Sequence, residues 1–566
     1  MRTIATARPR AIRGFLMPLS ENWATLWEAL ADAQPDHVAV VVGDVHLRWS
    51  ELDDTAARLA AAFASNGVTT NTRVAQLMFN CPEYLLSVYA AFKQRAVPVN
   101  VNYRYLAAEI AHVLNDSDAE VLVFHGSLAE RVAAGAAASP KVRLLVQVDD
   151  GTPLLPGAVW FHELVAANEP ADRVDRSGND LLFLYTGGTT GLPKGVIWSH
   201  VDLFGALAFT GYVSAGLDVP ATAADVGATA AALNAAGRSP VNLCAPPLMH
   251  GTALFLAISA FVMGGTVVLL GERRFDPHEL WRLVEREHVT QLSIVGDAFA
   301  APLVEALKTP TGGDSYDVSS LQRVVSTGAT LSSDHKRSLQ AAAPQITIVD
   351  MIGASEGGPF AVNMTLPGSD PGDTAAFTAS ANAVALDDQS WQPLPRGSGK
   401  AGVLAASGPM PLRYHNDVDR TAATFRVIDG VRFSVPGDYA IIDADGTVHL
   451  LGRGSVCINT GGEKVYPEEV EVAARSHPAI ADCIVVATPD RRLGSSVTLV
   501  ASRSSHPDAS TTTAVDVINH IHTLLASYKA PRHVIFVDAV YRSPSGKADY
   551  TWARDLATAA VVGSSE

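Results

Sequence analysis

Cysteine is scarce in this sequence, basic residues are fewer than acidic ones, and no cysteine pair has metal-site spacing. The cysteines are Cys81, Cys244, Cys457 and Cys483, and no two of them form a Cys-x-x-Cys motif. This argues against a disulfide framework or a thiolate zinc site and favours a reducing, cytoplasmic location. The formal net charge of −16 argues against a nucleic-acid-binding surface.

Long hydrophobic runs are also lacking. The longest, Leu254 to Leu270, is interrupted by Gly264 and Gly265, so it is better read as a buried helix followed by a strand than as a membrane span. The basic first 20 residues contain no continuous apolar segment of signal-peptide length. We therefore expect no transmembrane span. A peripheral membrane contact stays open, although no basic amphipathic helix argues for it.

The residues that are present predict a large α/β enzyme. At 566 residues and 48% hydrophobic content, the chain is long enough for several domains with large cores. From residue 37 to about 350, runs such as VAVVV, RVAQLMF and EVLVF alternate with helix-like runs, which indicates mostly parallel sheets. Residues 215–237 have a weak pattern and are expected to form a loop or insertion with a short helix.

The segment LYTGGTTGLPKG, residues 184–195, follows an apolar strand. Its glycines allow close backbone approach to a ligand, and its amides, threonine hydroxyls and Lys194 are donors that suit a phosphate chain. It is not a Walker A loop, because Gly195 stands where the magnesium-binding hydroxyl would follow the lysine. The alternative is a surface turn, which seldom needs three threonines and a lysine.

The segment YTGGTTGLPKG closely resembles the phosphate-binding loop of the adenylate-forming superfamily, which contains acyl-CoA synthetases, adenylation domains and luciferases. The resemblance covers about residues 25 to 554. It implies an N-terminal adenylation domain, residues 1–453, and a small mobile α+β C-terminal domain, residues 454–566. Within the loop it implies catalytic roles for Thr190 and Lys194, and nucleotide binding by Thr186, Gly187, Gly188, Thr189 and Gly191.

A second motif, DMIGASEGG at residues 350–358, resembles the family's Tyr-Gly-x-Thr-Glu signature. The resemblance makes Glu356 a Mg²⁺ ligand, which fits a hard cation bridging phosphate oxygens. Ile352 replaces the family's adenine-stacking aromatic residue, so the base is expected on an aliphatic surface. The expected nucleotide-binding residues here and in STGATLS are Asp350, Met351, Ile352, Gly353, Ser355, Gly328, Ala329 and Thr330.

Three further motifs follow towards the C-terminus. The resemblance implies that Asp438 in VPGDY and Arg453 in LGRGSVCINTGGEKVYPEEVE contact the ribose. It also implies that Lys547 in YRSPSGKADY contacts the reacting carboxylate and the α-phosphate. Ser455 replaces the family's usual hinge Asp or Lys. From the same junction segment, the expected cofactor-binding residues are Gly461, Gly462 and Lys464.

Together these motifs predict an acid–thiol ligase that uses ATP, Mg²⁺ and coenzyme A. A carboxylic acid would form an acyl-adenylate, and a thiol would then displace AMP. His250, Gly353 and Ala354 are the expected acid-binding residues, and the uncharged Met249–His250 pair favours a hydrophobic acid over an amino acid. His250 either gates the acyl tunnel or is a satisfied pocket histidine.

Two alternatives remain at this point. The adenylate could be delivered to an amine or a carrier-protein thiol rather than to CoA, or the chain could be a non-catalytic nucleotide-binding protein. The four motif residues Thr190, Glu356, Asp438 and Lys547 argue against the second alternative. A homodimer is compatible with the family resemblance.

Overall fold

The computed structural model describes residues 19–187, 192–311, 315–329, 331–372, 376–453, 458–465, 467–541 and 550–563. Its α-helices are α1 (Trp23–Ala33), α2 (Trp49–Ser65), α3 (Pro82–Lys93), α4 (Ala107–Asp116), α5 (Ala129–Ala137), α6 (Phe161–Ala166), α7 (His200–Gly211), α8 (Ala223–Ala235), α9 (Gly251–Val262), α10 (Pro277–Arg286), α11 (Gly296–Lys308), α12 (Ser333–Ala342), α13 (Val418–Thr424), α14 (Pro467–Arg475), α15 (Ala514–Leu524) and α16 (Tyr550–Gly563).

The strands are β1 (Val38–Val42), β2 (Val45–Arg48), β3 (Arg73–Leu77), β4 (Val97–Asn100), β5 (Ala119–His125), β6 (Leu144–Val148), β7 (Ala158–Trp160), β8 (Leu181–Gly187), β9 (Pro193–Ser199), β10 (Val241–Cys244), β11 (Thr266–Leu269), β12 (Gln291–Ile294), β13 (Arg323–Thr327), β14 (Thr347–Ala354), β15 (Gly357–Thr365), β16 (Ala376–Ala379), β17 (Ala383–Leu386), β18 (Gly402–Ser407), β19 (Arg413–Tyr414), β20 (Phe425–Ile428), β21 (Val431–Ser434), β22 (Asp438–Ile442), β23 (Thr447–Arg453), β24 (Ile458–Thr460), β25 (Glu463–Val465), β26 (Ile480–Asp490), β27 (Gly494–Arg503) and β28 (His533–Val537).

The largest sheet combines a parallel and an antiparallel half. Its order is β2-β1-β11-β10-β12-β13-β14-β15-β16-β23-β22-β18-β21-β20, with β17 beside β18. Pairs from β1 to β14 are parallel except β2 with β1, and β14 pairs antiparallel with β15. The parallel half is the α/β arrangement that the alternating sequence pattern predicts, because parallel strands need helical crossovers.

A second sheet carries the glycine-rich segment. Its order is β19-β9-β8-β4-β3-β5-β6-β7, parallel from β8 to β7. β8 and β9 are antiparallel, and Gly187 pairs with Pro193 at the end of this hairpin. The segment therefore lies at the end of a sheet, as the preceding apolar strand predicts.

The C-terminal part has its own small sheet. Strands β26, β27 and β28 pair side by side, β24 and β25 form a separate hairpin, and a buried cluster includes Val485, Leu499 and Ile521. In the sequence, Pro467 is well placed for the first position of a helix and Asp445–Gly446 is a strong hairpin signal. The structure has both the helix from Pro467 and the hairpin of β22 and β23. The predicted α+β character of this part is confirmed.

Residues 215–237 are more ordered than the sequence pattern indicates. Thr222 and Asp225 form a capping box at the start of the 13-residue helix α8. Helix α8 packs on α1, and a Cβ at Gly227 would lie 2.9 Å from the carbonyl oxygen of Ala29. The many small residues therefore allow close helix packing.

No helix within the described residues is both long and apolar enough to cross a membrane.

Candidate active site

A cavity of about 540 Å³ lies where the motif-bearing strands of the two large sheets meet the C-terminal part. One end is formed by the loop after β13 and by β14, and the other by the facing helices α7 and α9. It brings together many of the residues predicted from the sequence, namely Thr186, His250, Gly328, Ala329, Asp350, Met351, Ile352, Gly353, Ala354, Ser355, Asp438 and Gly462.

The polar end of the cavity is shaped by glycine and by short side chains. Gly328 has φ +91°, which favours glycine, and a Cβ at Gly353 would meet Thr327 Oγ1 at 3.6 Å, an ordinary contact. The space beside Gly353 would thus admit a Cβ without a close contact. Ile352 packs against the cluster that contains Phe360, so an aliphatic surface is present where the family resemblance expects an aromatic ring.

The predicted ribose residues are neighbours. Asp438 begins β22 and is paired in register with Arg453, the last residue of β23. Residues 15 positions apart in the chain are thus backbone neighbours, since strand partners across an antiparallel pair lie side by side.

Glu356 lies just behind the cavity lining, where it is 8% exposed. The hydroxyl of Tyr414 in β19 donates a hydrogen bond of 2.5 Å to Glu356 Oε1. Burial raises the pKa of Tyr414, and the neighbouring Glu356 carboxylate raises it further, so Tyr414 remains a donor. The indole of Trp198 donates to the Ser355 carbonyl at 3.1 Å. Sequence reasoning missed Tyr414, which belongs to no recognised motif.

Lys194 is also held by a residue that the sequence did not suggest. Its ammonium is paired with Asp417 at the N-cap of α13. Burial acts to raise the pKa of Asp417, but hydrogen bonds from Lys194 and from the Arg420 N–H outweigh it and lower the pKa. Lys194 therefore lies at the base of the glycine-rich segment rather than in the cavity lining. The predicted residues outside the described part of the chain are Gly188, Thr189, Thr190, Gly191, Thr330 and Lys547.

The hairpin of β24 and β25 reaches the cavity from the C-terminal part. Asn459, Gly462 and Glu463 line the cavity, and a Cβ at Gly462 would lie 2.9 Å from Val295 Cγ1. Gly462 also has φ +84°, so both space and backbone conformation favour glycine there. In the same hairpin, the backbone of Lys464 in β25 is the cross-strand partner of Asn459 in β24.

Glu463 connects this hairpin to His250, one of the residues that the sequence predicts to bind the acid. Its Oε1 lies 3.0 Å from His250 Nε2 and 3.0 Å from Arg104 Nη1. Burial raises the pKa of Glu463, but its interactions with His250, Arg104 and Lys529 together outweigh burial, so the pKa lies below its ordinary value. His250 therefore has a carboxylate partner on the hairpin of the C-terminal part.

A second cavity of about 670 Å³ adjoins the first, and Glu463 and Tyr528 line both. Gly461 faces this second cavity, where a Cβ would meet Leu493 Cδ2 at 3.0 Å. Arginines from both parts of the chain line it, namely Arg104, Arg273, Arg274, Arg492 and Arg532. Glu272 and Glu463 line it as well, so the five arginines outnumber the acidic residues, and we call this arginine-rich arrangement the cationic cleft.

Comparison with known proteins agrees with this geometry. The profile of the AMP-binding enzyme family matches residues 27–414, and that of the AMP-binding enzyme C-terminal domain matches residues 469–547. The chain belongs to this family of adenylate-forming enzymes. The predicted family and fold class are confirmed.

The chain is 39% identical over 543 residues to a medium/long-chain-fatty-acid–CoA/3-oxocholest-4-en-26-oate–CoA ligase of Mycobacterium tuberculosis, covering 95% of this chain and 96% of the relative. It is 38% identical to the 3-oxocholest-4-en-26-oate–CoA ligase of Rhodococcus rhodochrous, covering 94% and 95%. The prediction of an acid–thiol ligase is confirmed by these relatives. An amide bond synthetase from Marinactinospora thermotolerans has the same fold, with TM-score 0.78, 23% identity and coverage of 95% and 100%.

Proposed function

We propose that this protein is an ATP-dependent ligase that joins a hydrophobic carboxylic acid to coenzyme A through an acyl-adenylate. The observation that carries the proposal is the cavity in which the nucleotide-binding motifs and an apolar helix pair meet. A carboxylate bound between them would lie next to the nucleotide phosphates while its tail is removed from water.

The acid is a medium- or long-chain fatty acid or a ring-bearing steroid side-chain acid. On α7, Leu203, Ala206, Leu207 and Thr210 follow an i, i+3, i+4, i+7 spacing and all line the cavity. Phe255 and Leu256 of α9 and Trp198 of β9 complete the lining. This wall suits an extended apolar group, and the printed names of the relatives refer to such acids.

In the first half-reaction the substrate carboxylate attacks the α-phosphorus of ATP, a carboxylate–phosphorus bond forms, and pyrophosphate leaves. The residues of β14 position the adenine, Asp438 and Arg453 the ribose, and the glycine-rich segment the phosphates. Lys547 stabilises the charge that develops on the α-phosphoryl oxygens. Lys194, released from Asp417, adds a cation near the leaving pyrophosphate.

Glu356 fits a magnesium site of the kind that ATP brings with it. Mg²⁺ is commonly held by one or two carboxylates together with substrate phosphates, and Tyr414 fixes one Glu356 oxygen. The described residues contain no group of three or more His, Cys, Asp or Glu side chains arranged to hold a metal ion, so the phosphates would supply other ligands. When bound, Mg²⁺ would neutralise phosphate charge.

In the second half-reaction the CoA sulfur attacks the acyl carbonyl carbon, and AMP leaves with the electrons of the acyl–oxygen bond. The cationic cleft suits the phosphates of CoA because arginine binds phosphate through several N–H donors. Gly461 and Gly462 allow the close approach of a narrow thiol arm beside the hairpin. In chain order the last strand of the largest sheet, β23, ends at Arg453, and β24 belongs to a separate hairpin, which supports a division of the chain at residues 453/454.

We also place the enzyme in the cytoplasm. Cys81, Cys244 and Cys483 are buried thiols, and burial raises the pKa of Cys81 and Cys244. Inert reduced thiols of this kind are typical of a reducing compartment.

The test follows both products on one preparation: pyrophosphate release and acyl-CoA formation, across acids from acetate to long-chain and steroid side-chain acids. We expect both products with hydrophobic acids. Lys547→Ala should nearly abolish pyrophosphate release while retaining thioester formation from supplied acyl-AMP. The CoA assignment would be wrong if pyrophosphate were released without acyl-CoA formation while an added amine or carrier protein captured the acyl group. That amine or carrier protein would then be the acceptor.

A further inference from the structure

Lys336 is a fully buried lysine directly beneath the nucleotide end of the cavity. It lies on α12, its side chain is 0% exposed, and its ammonium is 3.4 Å from Asp350 Oδ2. The same ammonium donates to Asn363 Oδ1 at 3.0 Å. Burying an ammonium is costly unless a charged or polar partner compensates it. The site is therefore built around the Lys336–Asp350 pair.

The two partners of Lys336 are cross-strand neighbours. Asp350 on β14 is paired in register with Asn363 on β15, so one ammonium fixes both side chains on the same face of the sheet. Asp350 is 3% exposed and lines the cavity. Apart from Lys336, the charged group that faces it is Asp297 of α11, itself paired with His335.

We infer that Lys336 is a positioning residue that keeps Asp350 an ionised, oriented hydrogen-bond acceptor for the 6-amino group of adenine, and so selects ATP over 6-oxo purine nucleotides. The inference rests on the proposed function in taking ATP as the nucleotide. Lys336 acts through Asp350 and does not itself touch the base.

The selection follows from donor and acceptor chemistry. An ionised carboxylate only accepts hydrogen bonds, so it pairs with an amino group and repels a carbonyl oxygen, whereas a protonated carboxyl can donate to that oxygen. Burial raises the pKa of Asp350 to about 6, with Lys336 opposing the rise and Asp297 adding to it. Without Lys336 the pKa of Asp350 would rise further, which favours the protonated, hydrogen-bond-donating form.

The experiment compares direct binding of ATP and inosine triphosphate, whose base has a 6-oxo group, by calorimetry in the absence of acid and CoA. Binding needs no turnover, so failure of the ligase proposal with a given acid leaves the measurement intact. Lys336→Met should weaken ATP binding by about tenfold or more, because a hydrogen bond to a charged group is lost. The ratio of the affinity for ATP to the affinity for ITP should therefore decrease. The double variant Lys336→Met/Asp350→Asn should recover ATP affinity, since a neutral amide oxygen accepts without a counter-charge, but not the full preference over ITP, because the amide NH₂ can donate to a 6-oxo group.

Lys93→Met is the matched control. Lys93 is also buried and paired with carboxylates, Glu28 and Asp53, but it lies outside the cavity lining. The Lys93→Met variant should have a lower free energy of unfolding and an unchanged ratio of ATP affinity to ITP affinity. Equal weakening of ATP and ITP by Lys336→Met, without recovery in the double variant, would mean a purely structural role and overturn the inference.

The unmodified protein gives a second test that does not depend on a variant folding. As pH falls through about 6, Asp350 becomes protonated, so the ATP/ITP affinity ratio should fall. Phosphate protonation affects both nucleotides and cancels in the ratio. A ratio that stays constant from pH 8 to pH 5 would contradict the assigned role of Asp350.

Discussion

Lys529 of the C-terminal part donates a hydrogen bond of 2.8 Å to Glu109 of α4, and the two side chains are 1% and 7% exposed. The Lys529 ammonium also lies 5.3 Å from the ring centroid of Tyr105. The other carboxylate oxygen of Glu109 accepts from the Leu106 N–H at the start of α4. A buried ion pair thus joins the two parts of the chain in the arrangement that brings the β24–β25 hairpin to the cavity.

The first prediction concerns this ion pair. Removing one partner of a buried pair costs about 3–5 kcal/mol, because the other charge is left uncompensated. Lys529→Met should therefore disfavour the hairpin-in arrangement and slow thioester formation from acyl-AMP by at least about tenfold. Pyrophosphate release should be affected much less. Both half-reactions are measured separately by quenched single-turnover assays.

A control variant separates this effect from loss of a lysine in general. Lys308 makes an exposed pair with Glu305, with side chains 64% and 66% exposed, and such pairs contribute little to stability. Lys308→Met should leave both half-reactions unchanged. If Lys529→Met slowed adenylation as much as thioester formation, the pair would support the fold rather than one arrangement.

The second prediction concerns acid length. Ala206 lies on the cavity-lining face of α7 and is half-buried, so Ala206→Trp should fill the apolar end. We expect kcat/KM for long and ring-bearing acids to fall by more than about tenfold, the cost typical of overpacking a filled site, while short acids keep their activity. Val213→Trp, at an exposed position after α7, is the matched control. Equal loss for every acid would mean general damage.

Local features of the fold could be predicted from the sequence. The Asp445–Gly446 turn and the Pro467 helix start were predictable because turn and cap preferences act between neighbouring residues. The motif residues Gly328, Ile352 and Asp438 meet at one cavity, as the family resemblance implies.

Contacts between distant residues could not be predicted in this way. Tyr414 and Glu356 are 58 positions apart, and Lys194 and Asp417 are 223 apart. No periodicity or motif connects such residues. The Tyr414–Glu356 contact depends on how the two sheets pack, and the Lys194–Asp417 contact depends on the pairing of β9 with β19. The interpretation of residues 215–237 underestimated α8 because small residues give little hydrophobic periodicity even where they pack closely against another helix.

The third prediction is a pH dependence of stability. His200 is 1% exposed, its Nδ1 accepts a hydrogen bond of 3.0 Å from the Trp23 N–H, and burial lowers its pKa to about 3. The unfolded chain binds a proton at the ordinary histidine pKa of about 6.5 while the folded protein does not. The free energy of unfolding should thus fall by up to about 1.4 kcal/mol per pH unit for this group as pH decreases below 6.5.

Denaturant unfolding between pH 6.5 and 5, above the range in which most carboxylates titrate, measures this slope. His200→Gln retains a side-chain acceptor for Trp23 and removes the titrating ring, so its slope should be smaller by the contribution of one proton. His46→Gln is the control. His46 is exposed and a hydrogen bond with Glu287 raises its pKa, so its removal should not decrease the pH slope of the free energy of unfolding. An unchanged slope in His200→Gln would mean that His200 is protonated in the folded state.

The last prediction concerns Tyr414, whose hydroxyl holds one oxygen of Glu356. Tyr414→Phe removes this donor while keeping the ring that packs near Phe425. A hydrogen bond to a charged group contributes about 1.5–3 kcal/mol, so the KM for magnesium–ATP in pyrophosphate release should rise by about tenfold or more. ATP and ITP should be affected equally, since Glu356 serves the phosphates and not the base. Tyr439→Phe, which removes an exposed hydroxyl bonded to Asp388, should have no such effect. An unchanged KM for magnesium–ATP, together with a changed ratio of the KM values for ATP and ITP, would contradict the role of Glu356 at the phosphates. Only a group that contacts the base can alter that ratio.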